Sequence, residues 1–106
     1  MVKPSICIDF DGVLNTYTKW EGEDVYPPLR PGAQDFLKFT QLYFRIIIYS
    51  CRDPQKLKAY FLKEKLPYDE IVQKPRAIFY IDDHAYPFKS FRDCESHYDD
   101  WFALYK

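Results

Sequence analysis

The chain has 106 residues, a net charge of −1, 47% hydrophobic and 20% aromatic residues, which leaves room for one domain with enough apolar surface to need no disulfide or metal staple. Fifteen Lys and Arg stand against sixteen Asp and Glu with no bias between the two halves, so neither bulk nucleic acid nor an anionic membrane is an expected partner. Two of the three cysteines (Cys7, Cys51, Cys94) lie in apolar runs and are expected to be buried free thiols, hence a cytoplasmic setting, and no stretch resembles a signal peptide or a membrane span.

Residues 5–10 (SICIDF) form a short apolar run that stops at acids and a glycine, the pattern of a strand buried on both faces. Residues 12–31 have no clean periodicity and are long for a connection, so they are expected to be a flap. Pro31-Gly32 opens an amphipathic helix with Ala33, Phe36, Leu37 and Thr40 on one face, ending near Tyr43. Residues 44–49 (FRIIIY) make a second buried strand. Asp53-Pro54 then supplies an N-cap and a proline at the first helical position for a helix over 54–65 with Leu57, Tyr60 and Phe61 inward. Ile71-Val72 suits a short edge strand, and residues 77–81 (AIFYI) are a third apolar run that ends in acids. The final stretch, YDDWFALYK, suits a short docking helix. Alternation of strand and helix predicts one Rossmann-like, three-layer α/β domain over 1–106, with a small parallel sheet, right-handed crossovers and no cap domain.

Ligands of parallel α/β sheets bind beyond the carboxyl ends of the strands. The first strand delivers Asp9 and Asp11 there, the second Ser50 and Arg52, and the run 77–81 delivers Asp82 and Asp83. Four converging carboxylates repel one another unless a cation is present. An oxygen-rich cluster without soft ligands suits Mg²⁺.

The segment Asp9-Phe10-Asp11-Gly12-Val13-Leu14-Asn15 resembles the DxDGx[LV][TN] motif of the haloacid dehalogenase-like phosphohydrolases. Ser50 at the end of IIIYS, Lys74-Pro75 and Asp82-Asp83 resemble that family's other three motifs, in order, over about residues 5–84. The resemblance implies a Mg²⁺-dependent phosphatase acting on phosphomonoesters in two steps. Asp9 would attack phosphorus and form an aspartyl phosphate, and Asp11 would act as general acid and then base. Asp9, the Asp11 carbonyl and Asp82 would ligate Mg²⁺ with Asp83 behind them, while Ser50 and a cation would hold the phosphoryl oxygens. That cation is Lys74, with Arg52 and His84 as substitutes. Residues 75–81, if extended, would hold Lys74 on the order of 25 Å from Asp82 at about 3.3 Å per residue, so its segment must bend back.

Tyr17, Trp20 and Tyr26 in the flap could stack on a substrate's sugar or base, or pin the flap to the core. A small phosphorylated molecule is a more natural substrate than a macromolecule, and exposed apolar surface makes a homodimer reasonable. A phosphotransferase, or a non-enzymatic phospho-accepting or Mg²⁺-binding module resembling a receiver domain, is the alternative.

Overall fold

A computed structural model describes residues 3–104. Its sheet has three parallel strands in the order β1 (Ser5–Asp9), β2 (Arg45–Ser50), β3 (Glu70–Gln73), with Ser5 opposite Arg45 and Ile47 opposite Glu70. Helix α1 (Ala33–Thr40) connects β1 to β2, and α2 (Pro54–Lys63) connects β2 to β3. The start of α2 follows the local chemistry: the Asp53 carboxylate accepts from the Lys56 N–H at 3.0 Å, and Pro54 occupies a position whose N–H has no helical partner. Gly32, at φ 86°, makes the turn into α1, a conformation that side-chain-bearing residues rarely adopt.

Because both crossovers step the same way across the sheet, right-handedness puts α1 and α2 on one face. The burial follows. Ile8, Ile46, Ile48 and Ile71 form one cluster with Phe36 and Leu37 of α1 and with Leu57 and Phe61 of α2. Strand β2 alternates strictly, with Ile46, Ile48 and Ser50 buried and Arg45, Ile47 and Tyr49 only half-buried. Two further helices, α3 (Phe91–Ser96) and α4 (Tyr98–Ala103), add to the same cluster through Phe91, Cys94, Tyr98, Trp101 and Phe102. Among the described residues the result is a small α/β fold, a three-stranded parallel open sheet with helices packed into one hydrophobic cluster.

The tail is anchored by one buried polar pair. Thr40 Oγ1 donates to the Phe36 carbonyl at 2.7 Å and accepts from the Tyr98 hydroxyl at 2.7 Å, so both hydroxyls are satisfied inside the core. The docking helix expected at the C-terminal end is α4, and residues 105–106 of that stretch lie outside the described residues.

Residues 77–81 do not form the strand that their apolar pattern predicts. Glu70–Gln73, expected as a minor edge, takes the place beside β2. The chain then turns out of the sheet: the Tyr80 hydroxyl donates to the Pro75 carbonyl, and the Lys74 ammonium lies 4.2 Å from the centre of the Tyr80 ring. These contacts fold 75–80 locally and leave Ile78, Phe79 and Ile81 exposed, Ile78 at 91%. The cysteines are free, as expected, but none is fully buried. Cys7 is exposed on β1, and Cys51 and Cys94 are half-buried. No helix among the described residues is long and apolar enough to cross a membrane.

Candidate active site

The carboxyl ends of β1 and β2 lie side by side, with Asp9 opposite Tyr49 and Ser50 next in line. Gln73 pairs with Ser50, and the following residue continues the contact through a hydrogen bond from the Lys74 N–H to the Ser50 carbonyl at 2.7 Å. That pairing returns Lys74 to the rim. Its Nζ stands 3.5 Å from Asp9 Oδ2 and 5.1 Å from the centre of the Tyr49 ring, an ammonium held between a carboxylate and aromatic faces. Burial pushes the Asp9 carboxyl above its ordinary value, the Lys74 charge and hydrogen bond oppose the rise, and the charge of Asp11 adds to it.

Beyond Asp9 the chain makes a tight turn in which the Leu14 N–H returns to the Phe10 carbonyl at 3.0 Å and Gly12 sits at φ 89°. Asn15, fully buried, ties the turn together. Its Oδ1 accepts from the N–H groups of Gly12 at 2.9 Å and Tyr17 at 3.1 Å, and its Nδ2 donates to Asp11 Oδ1 at 3.0 Å. Arg30 Nη2 donates to the Gly12 carbonyl at 2.9 Å. The Asp-Gly turn is thus clamped on both sides.

Arg52 is 1% exposed and donates through all three guanidinium nitrogens. Nε and Nη2 grip the Asp11 carboxylate at 2.9 and 3.0 Å, while Nη1 and Nη2 also donate to the Glu23 and Val25 carbonyls at 2.9 and 3.0 Å. The rings of Phe10, Trp20 and Tyr26 cover the group at 4.5 to 5.7 Å. Of the three cations considered for a phosphate clamp, Lys74 is the one beside Asp9. Arg52 is committed to Asp11 and the flap, and His84 is exposed, 3.7 Å from Asp83.

The flap is closed over the start of α2. Asn15 and Leu29 bridge its two ends, Glu23 Oε1 accepts from the Asp53 N–H at 2.5 Å, and Lys56 pairs with Asp24 at 3.2 Å. Tyr26 stacks on Tyr60 at 4.0 Å between ring centres, which makes it a fastening of the flap. Trp20 keeps 40% of its surface exposed, between the guanidinium of Arg52 and that of Arg76, each 4.9 Å from its ring centre.

Asp82 and Asp83 do not converge with Asp9 and Asp11. They are exposed, and Asp82 Oδ1 accepts from the His84 N–H at 2.7 Å in a turn of its own. No group of three or more His, Cys, Asp or Glu side chains suited to a metal gathers among the described residues. The Asp11 carboxylate is taken by Arg52, and Asp82 makes its own turn with His84. Asn15, Glu23 and Arg30 were invisible as site residues in the sequence. Asn15 lies within the motif, but its three bonds to the turn depend on how the chain folds back.

No family model, curated protein or solved structure matches this chain.

Proposed function

We propose that the chain hydrolyses phosphomonoesters through an aspartyl phosphate on Asp9. The observation that carries the reading is the Asp9–Lys74 pair, brought together at the carboxyl rim from the two outer strands of the parallel sheet. An anionic nucleophile meets an anionic substrate only if a positive charge lies between them, and Lys74 supplies that charge. An Asp9 oxygen forms a bond to phosphorus as the bond to the leaving oxygen breaks, and Asp11 gives that oxygen its proton. In the second step Asp11, as carboxylate, takes a proton from water, the hydroxide forms the new bond to phosphorus, and Asp9 is released. Ser50 and Lys74 hold the phosphoryl oxygens. Small phosphorylated molecules in the cytoplasm are the substrates this reading favours.

Mg²⁺ enters through the resemblance of Asp82-Asp83 to the family's acidic motif and would require that segment to come to Asp9, so none of these steps is routed through it. The test is phosphate release from a panel of sugar, nucleotide, amino-acid and aryl phosphates, with Asp9→Asn as blank and with Mg²⁺ present or chelated. Release lost in the variant supports the reading, and its dependence on the ion reports whether Mg²⁺ is used. Absence of release from every substrate, with beryllofluoride still bound at Asp9, would replace the phosphatase by a phospho-accepting module.

A further inference from the structure

We propose that Arg52 is a positioning residue that couples closure of the flap to the placement of Asp11. The inference rests on the reading of Asp11 as the proton carrier, but its structural core stands on geometry alone. The guanidinium is shared between two partners that are distant in sequence. On one side it holds both oxygens of Asp11; on the other it satisfies the carbonyls of Glu23 and Val25 and lies beneath Trp20 and Tyr26.

A buried guanidinium needs all of its donors satisfied, and the flap supplies the partners that Asp11 does not. If the flap lifts, Arg52 loses two carbonyls and two aromatic faces together. It must then follow the flap into water or draw Asp11 with it. Either movement takes the carboxylate out of its present orientation, because among the described residues Asp11 is otherwise held by Asn15 Nδ2 alone. The chain of contacts therefore runs from flap to Arg52, to Asp11, to Asn15 and to the Gly12 N–H. A second latch, the Glu23 carboxylate, accepts from the Asp53 N–H through one oxygen and stands 4.0 Å from Arg52 Nη1 through the other, so it reaches Asp11 and Asn15 only by way of Arg52.

That route gives the test. Hydrogen exchange is measured at the Val25 amide, which reports the flap through its bond to the Gly22 carbonyl, and at the Gly12 amide, which reports the turn. Glu23→Ala should speed exchange at both by about tenfold, a usual size for coupling between sites, while an Ile48 amide in the sheet stays unchanged. Acceleration at Val25 with Gly12 unaffected would overturn the proposal. Arg52→Lys, which keeps the charge but cannot hold two carboxylate oxygens and two carbonyls, should speed Gly12 exchange as well, and unchanged exchange in this variant would also overturn it. On a phosphate ester, Glu23→Ala should lower kcat with little change in KM, since it disturbs the proton carrier and leaves Ser50 and Lys74 in place. If the native protein releases no phosphate, the function reading fails and the exchange result still decides the coupling.

Discussion

The Lys74 ammonium lies 3.5 Å from the Asp9 carboxylate although the two residues come from opposite edges of the sheet. The contact exists because Lys74 continues the pairing of β3 with β2 by one residue, which fixes its backbone at the rim before its side chain has to reach. Replacing Lys74 with Ala should therefore leave the fold in place and lower kcat by roughly 10² to 10³, the usual cost of removing one preorganised group that stabilises developing charge. Steady-state kinetics on any accepted phosphomonoester would check this, and retained turnover would move the cation elsewhere.

Asp9 is held ionised at a cost. Burial outweighs Lys74 and raises its carboxyl above the ordinary carboxylate range, so just above that range the folded state binds more protons than the unfolded one, and stability falls as pH rises through this window. In metal-free protein with chelator present, Asp9→Asn should melt at a higher temperature than the native chain at pH 7. The gap should shrink as the pH is lowered toward 4. Equal melting temperatures at pH 7 would show that Lys74 fully compensates the burial.

Asp11 should behave in the opposite way. Its removal by Asp11→Ala leaves the buried Arg52 guanidinium without its carboxylate, which typically costs about 3 to 5 kcal/mol. Chemical denaturation should show this loss, with Asp11→Asn milder because one oxygen still accepts. The contrast between two aspartates two residues apart, one whose loss stabilises and one whose loss destabilises, separates a carboxylate ionised against its burial from one held by a guanidinium.

The exposed run offers a direct check on its placement. Ile81→Ser should change stability by no more than about 0.5 kcal/mol, the usual range for surface sites. A loss of about 2 to 5 kcal/mol, typical of a truncated core residue, would place the run inside a core, as its apolar pattern suggests.

What the sequence revealed was what local chemistry controls. The cap at Asp53-Pro54, the apolar face of α1 and the runs that became β1 and β2 each depend on residues a few positions apart, and each formed close to where the pattern put it. The run 77–81 misled because hydrophobicity marks a wish for burial without naming a partner, while four residues of weaker pattern, EIVQ, had the shorter connection to β2. Arg52 was legible as a cation at the rim but not as a tie to the flap, since the Glu23 and Val25 carbonyls that hold it are backbone groups of an aperiodic loop. Likewise Asn15 sat in view within the motif, its role hidden until the turn closed.

The strand register also bears on the order of assembly. Ile47 meets Glu70 across a loop little more than half as long as the one separating Ser5 from Arg45, so closing β2–α2–β3 loses less chain entropy than adding β1. On that ground β1, and with it Asp9 and Asp11, joins a unit that is already formed. Substitutions at the two aspartates should then move the unfolding limb of a chevron plot and leave the folding limb nearly unchanged, whereas Ile48→Val should move the folding limb. A site carried on the last strand to arrive can change its chemistry without slowing the birth of the fold that holds it.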